Sequence, residues 1–294
     1  MSNFMFSLNA TLPVFLVIVL GWFLMQKKMF NENATTPIRD AFDPKFVIFC
    51  MIGTTIMFMG IWALTSIFMK DKSMVGAFTQ ASARGSAAVL GIAFVQNIYG
   101  NSGMTPLMIV SAVPLYNIYS VIILTFCANN QDHSDKAATI KRAFKNILTN
   151  PIILGIAAGV PFSLLNIELP PLILKTVTNV AQTATPMALL AVGAGFEGRK
   201  AIKKLKPTMI ATFIKLVALP AIYFPFAIAM GFRESALVAI LIMVGSPTTV
   251  TCYIMAKNMG NDGVLSSSII VMATLLSSVT LTFWIFLLKS MGLI

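Results

Sequence analysis

Two cations of this chain stand inside apolar runs with no carboxylate beside them. Arg84 lies about eleven residues into the run 74–98, directly before Gly85-Ser86, and Lys215 lies about two turns into the run 207–231. Charge held within hydrocarbon is costly and is retained for function. A fixed positive charge without a fixed negative partner fits an anionic substrate, and Arg84, near the middle of its run, reads as that charge. The alternative for Arg84 is a structural arginine bonded to the carbonyls of an unwound helix. Lys215 has a second option too, since its long stem can carry the ammonium back to the interface. All ten acidic residues, from Glu32 to Asp262, fall in loops or at the ends of runs. No embedded Ser/His/Asp set, carboxylate pair or His-rich cluster offers catalysis or a metal site. The reading is therefore not an enzyme, with no cofactor and no metal.

The segment Gly245-Ser246-Pro247-Thr248-Thr249-Val250-Thr251 interrupts another apolar run. Pro247 removes a backbone donor and frees a carbonyl from the helical ladder. Gly245 permits unusual dihedrals, and the hydroxyls re-satisfy exposed backbone. Half-helices broken in this way aim N-terminal N–H groups at an anion's oxygens. The bland reading is close helix packing by small residues. Asn117, and likewise Gln182, is a polar group in an apolar run; it lines a path or bonds a neighbouring helix. Thr185-Pro186 is a kink or a site.

The elements that must position these residues repeat. Gly85-Ser86 precedes Gly100-Asn101-Ser102-Gly103, and Gly245-Ser246 precedes Gly260-Asn261-Asp262-Gly263, at an offset of 160 positions. The chain is 57% hydrophobic and 11% charged, about half the charge of a soluble domain, so it belongs in a bilayer. Apolar runs fall near 8–26, 46–69, 74–98, 104–127, 150–167, 172–196, 207–231, 235–256 and 265–288, which predicts nine spans. The net charge of +11 sits in alternate loops: Lys70 and Lys72; Lys136, Lys141, Arg142 and Lys145; Arg199 to Lys206; and Lys257. That pattern orients helices and does not call for nucleic acid. With those loops inside, the runs 74–98 and 235–256 point in opposite directions, as paired interruptions do in inverted-repeat transporters. Cys50, Cys127 and Cys252 lie in or beside apolar runs without ligand spacing and read as packed residues; His133 reads as a solvated loop residue.

One helix is missing from this scheme. Thr11, Pro13 and Gly21 match Thr149, Pro151 and Gly159 at an offset of 138, shorter than the other repeat offset by 22 residues. That is the length of one span. Charge placement agrees. Lys27-Lys28 and Lys70 with Lys72 both ask for an inside end, while the link 29–43 carries Glu32, Arg39, Asp40 and Asp43 and cannot span.

The segments Leu12-Pro13-Val14-Phe15-Leu16 with Gly21, Asn150-Pro151, Thr185-Pro186-Met187-Ala188-Leu189 with Gly193, Lys215 with Leu219-Pro220, and Ser246-Pro247-Thr248 through Tyr253, Met255 and Ala256 give the chain a family likeness. It resembles the auxin efflux carrier family, in particular its bacterial malate-permease-like members. The resemblance implies ten helices, a crossing of broken fourth and ninth helices, and an organic anion bound there, at Gly85-Ser86 and Ser246-Pro247-Thr248. Ser86 stands where the family usually has an asparagine. The family's second helix, due between Asn33 and Thr36, is not present.

The expected fold is an all-α integral membrane protein, a five-plus-five inverted repeat with broken crossing helices and nine spans. Repeats 1–128 (short by one helix) and 146–294 are joined by a basic cytoplasmic loop, 129–145, in a single membrane domain 1–294. The expected function is secondary transport of malate or a related small carboxylate across the plasma membrane by alternating access. The substrate-binding set is Arg84, Gly85, Ser86, Asn117, Lys215, Gly245, Ser246, Pro247, Thr248 and Thr249. The partners are the carboxylate and the lipid bilayer; a coupling proton or sodium ion and a homodimer stay open. The alternative is a transport-inactive remnant produced by internal deletion of one helix, and an anion channel is a third reading.

Overall fold

The computed structural model describes residues 43–128, 145–149, 183–194 and 198–294, with single positions or pairs between 154 and 180. The expected run 8–26, all of 150–167 but Leu154, positions 172, 174, 177–178, 181–182 and 195–196 of the run 172–196 (Gln182 among them), the link 29–42 and His133 lie outside the described residues.

The described elements are helices throughout. Helix α1 spans Pro44–Phe68. Its start is written in the chain: the Asp43 carboxylate accepts from the N–H groups of Lys45 and Phe46 at 2.9 and 3.2 Å, and Pro44 follows with the φ that a first helical residue needs. The Asp71 carboxylate accepts from the Ser73 hydroxyl and N–H at 2.6 and 3.0 Å. These two bonds hold the Asp71 carboxyl below the usual carboxylate range and open a 3-10 turn, Lys72–Met74, that leads into the membrane. Helices α2 (Val75–Ala83) and α3 (Ala87–Tyr99) then share the run predicted as one span, and α4 covers Thr105–Phe126. After α5 (Ala184–Ala194) and the short basic α6 (Gly198–Lys203) comes α7 (Leu205–Phe213). It passes through a π-helical turn, Ile214–Ala218, into α8 (Leu219–Ala229). Helices α9 (Glu234–Gly245) and α10 (Thr251–Asn258) again divide one predicted run, and α11 (Gly263–Ser290) ends the described chain.

Both Gly-Asn-x-Gly copies close helices for the same reason. Gly100 and Gly260 take φ values of 74 and 69°, the left-handed region that a side chain resists.

Four described helices are long and apolar enough to cross a membrane: α1, α4, α7 through α8, and α11. Three keep an outward apolar face, such as Ile48, Ile52 and Ile56 on α1, or Leu275, Val279, Phe283 and Phe286 on α11, while α4 exposes Val110 alone of its large apolar side chains. The broken helices are different. All nine residues of α2 are buried, and α9 is buried from Ala236 to Gly245. Neither presents an outward face: α9 is apolar nearly throughout, and α2 buries Thr79, Gln80 and Ser82 along with its apolar residues. The architecture is thus two broken helices, each with one wholly buried half (α2 and α9), wrapped by longer helices with lipid-compatible exteriors.

Proline explains the π-helical turn. Pro220 has no N–H to give to the carbonyl of Leu216, four residues back. The Leu216 carbonyl instead accepts from the Trp284 indole N–H of α11 at 2.9 Å, while the Leu219 N–H reaches back to Ile214. A missing donor in one helix becomes a weld to another.

Candidate crossing site of two broken helices

The two breaks meet. Gly85 forms an antiparallel bridge with Thr248, and the Ser86 N–H donates to the Pro247 carbonyl at 2.9 Å. The Thr248 hydroxyl donates to the Ala81 carbonyl at 2.7 Å, capping the last turn of α2. The first break contains no proline, yet it is a true break, extended at Arg84 (φ −80, ψ 115). The second break is longer, from Ser246 to Val250, and Thr249 accepts through its carbonyl from the Cys252 N–H at 3.0 Å as α10 begins. Ser86 is the half-buried N-cap residue of α3, and its side chain makes no capping bond.

Close approach dictates the glycines here. A Cβ on Gly85 would lie 2.3 Å from the Ser246 Oγ and 3.0 Å from the Lys215 Nζ. One on Gly245 would lie 2.8 Å from the Pro220 Cγ. The Ser246 hydroxyl is fully buried and has no hydrogen-bond partner among the described residues.

Among the described residues Arg84 bonds side chains, not backbone carbonyls. Its guanidinium, in a side chain only 4% exposed, donates to the Asn117 Oδ1 at 2.8 Å, the Met255 Sδ at 3.2 Å and the Ser120 Oγ at 3.5 Å. Asn117 is oriented for this by its own Nδ2, which donates to the Val113 carbonyl one turn back at 2.9 Å. Lys215 does not snorkel. It is fully buried, and its ammonium donates to the Ala83 carbonyl at 2.8 Å and, more weakly, to the Met243 carbonyl at 3.5 Å. The Tyr116 hydroxyl shares the Met243 carbonyl at 2.9 Å.

The two cations are unequally served. Holding either charge at mid-bilayer costs about 2.5–3.5 kcal/mol on insertion scales. A hydrogen bond to a charged group returns about 1.5–3 kcal/mol. Lys215 has a carbonyl at full strength plus a second in reach, at the negative ends of two half-helices. Arg84, with five N–H groups, has one strong acceptor, one sulfur and one long contact. No carboxylate pairs with either among the described residues. Arg84 is therefore the cation with donors to spare, beside two helix N-termini whose dipoles are positive.

The crossing thus gathers Arg84, Gly85, Ser86, Asn117, Lys215, Gly245, Ser246, Pro247, Thr248 and Thr249. Sequence reasoning missed Tyr116, Ser120, Met255, Cys252 and Gln80, which surround the cations. Tyr116, Asn117 and Ser120 form one polar stripe at helical spacing in α4, a signal available in the sequence. Met255 and Cys252, whose thiol approaches the Gln80 carbonyl at 4.0 Å, carry no such signal. Thr185 and Pro186 lie in α5, whose Val192 packs with Cys252, Tyr253 and Ile254 of α10.

Residues 33–285 match the family described as Membrane transport protein. The chain is also 23% identical, over 268 residues, to a protein of Rhizobium meliloti (strain 1021) named "Putative malonate transporter"; the match covers 89% of this chain and 82% of that one.

Proposed function

Because the chain belongs to the membrane transport protein family, the auxin efflux carrier type that its sequence resembles, we propose that it is a secondary transporter of a small carboxylate of the malate or malonate kind. The observation that carries this reading is the under-satisfied, carboxylate-free Arg84 guanidinium at the junction of two broken helices. An anion entering there gains the arginine's spare N–H groups and the N-terminal dipoles of α3 and α10, and the Ser246 hydroxyl is free to donate. Ser86, Thr248 and Thr249 line the same junction, Asn117 orients Arg84, and Lys215 adds positive field from behind.

The transport cycle in this reading is alternating access, with the longer helices rocking against the crossing. The chain is one membrane domain of two inverted repeats, 1–128 and 146–294, joined by 129–145, with nine spans in the plasma membrane. The outward apolar faces of α1 and α11 meet lipid, and a homodimer would use one of them. The offset that shortens the first repeat by one helix favours a second reading, a carrier silenced by loss of that helix.

Counterflow of labelled malate and malonate in proteoliposomes tests both. The first reading expects saturable counterflow by this chain that is lost in Arg84→Ala. Silence from this chain, with activity once an apolar helix is inserted after Asn33, would select the second. Unsaturable flux without counterflow would make it a channel.

A further inference from the structure

The Lys215 ammonium lies against a matched pair of carbonyls. Ala83 is the last residue of α2, and Met243 lies in the last turn of α9. The two residues stand at the same offset of 160 positions that relates the two breaks. Each carbonyl lacks its helical donor for the same reason, although the Met243 carbonyl also accepts from the Tyr116 hydroxyl at 2.9 Å. Its i+4 partner would be Ala87 in the first copy, beyond the break, and Pro247 in the second, which has no N–H. The result is a site of two equivalent carbonyls at two negative helix ends, which is how discontinuous helices hold an alkali cation. Here the cation is supplied by the protein itself. The lysine arrives from the π-helical turn that Trp284 holds, and its side chain is fully buried, so the ammonium has no route to the interface in this state.

The other charged or titratable groups around it are Arg84 on the α2–α3 link, Tyr116 on α4 and Cys252 on α10. No acidic residue faces it among the described residues, so no carboxylate is present to complete a site for a second cation.

Resting on the transport reading above, we propose that Lys215 is a tethered substitute for a coupling sodium ion: its ammonium fills an alkali-cation site formed by the Ala83 and Met243 carbonyls, and the carrier runs without sodium. The cation that binds and releases elsewhere is tethered to the chain here, so carboxylate binding draws on an amine that cannot leave with the substrate. Removing the amine uncovers the two carbonyls and turns the position into a sodium site.

The test is thermal melting of the purified full chain in sodium, potassium or choline chloride at equal ionic strength, for the native protein, Lys215→Ala and Lys215→Gln. Ligand that binds only the folded state raises the melting temperature. The expected result is no difference between sodium and choline for the native chain, and a sodium-specific rise for Lys215→Ala. Folded variants that ignore sodium, or a native chain that sodium stabilises, would overturn the proposal. Where neither variant folds, native proteoliposomes decide: uptake driven by an inward sodium gradient overturns it, and counterflow indifferent to replacing sodium by choline supports it. A native chain that moves no carboxylate sinks the transport reading alone, because the sodium response of the variants is read without transport.

Discussion

At the residue scale, the crossing depends on which donors and acceptors are left over once the helices have formed. Arg84 keeps spare N–H groups, and Asn117 is the acceptor that aims it. Asn117→Asp is the sharpest probe of that arrangement. The carboxylate keeps and strengthens the bond to Arg84, which offsets the lost Nδ2 bond to the Val113 carbonyl, and it neutralises the charge an anion would meet. We expect melting close to the native value with counterflow lost; full counterflow in Asn117→Asp would remove Arg84 as the anion's charge. Gly85→Ala tests the close approach. Its Cβ would lie 2.3 Å from the Ser246 Oγ, and overpacking of this kind costs about 1–3 kcal/mol. Melting should fall accordingly and recover in part when Ser246→Ala removes the opposing oxygen. A double variant no better than Gly85→Ala would mean that the clash lies elsewhere.

At the element scale, the two breaks have different local causes and one shared cause. The second break contains Pro247, yet the first is just as real with no proline at all. What the breaks share is each other: the bridge from Gly85 to Thr248, the Ser86 N–H on the Pro247 carbonyl and the Thr248 hydroxyl on the Ala81 carbonyl. Pairing across the crossing therefore holds both helices open, and Pro247 sharpens the second. Pro247→Ala should leave the fold and the counterflow largely intact. Thr248→Val should lower stability by about 1–3 kcal/mol, because the buried Ala81 carbonyl loses its donor. The reverse order in a melting series would restore proline as the cause. Trp284→Phe belongs to the same scale. It keeps the ring packed against Phe224 but strips the Leu216 carbonyl of its partner, with an expected loss of similar size in the same melts.

At the scale of the whole molecule, α2 and α9 are buried on every side and the longer helices carry apolar outward residues, which sorts the described residues into a core and its lipid-facing wrapping. The proposed nine-span topology sets Lys27-Lys28, which ask the first helix to end inside, against Lys70 and Lys72, which ask the next helix to end inside too. Cysteines placed at Ser2 and Met29 should therefore report a mixed or reversed orientation to an impermeant thiol reagent; Cys50 and Cys252 are buried, so Cys127→Ser completes a quiet background. Ser2 uniformly outside, with Met29 and Lys70 both inside, would contradict that topology. Much of this protein was legible in its sequence, because bilayer burial writes itself into composition. Apolar runs mark the spans, the spacing of Gly85-Ser86 and Gly245-Ser246 marks the breaks, and an arginine with no carboxylate nearby marks a candidate anion site. These follow from local rules: hydrocarbon excludes charge, proline lacks an N–H, and glycine alone tolerates close backbone approach. The sequence could not say where Lys215 puts its ammonium, since a long stem reaches either the interface or the interior. It could not say that Asn117, Ser120 and Met255 converge on Arg84, or that Ala83 and Met243 offer equivalent carbonyls to one lysine. Those facts depend on contacts between residues distant in the chain, and only the packing of the broken helices against α4 and the π-helical turn decides which leftover donors meet which leftover acceptors.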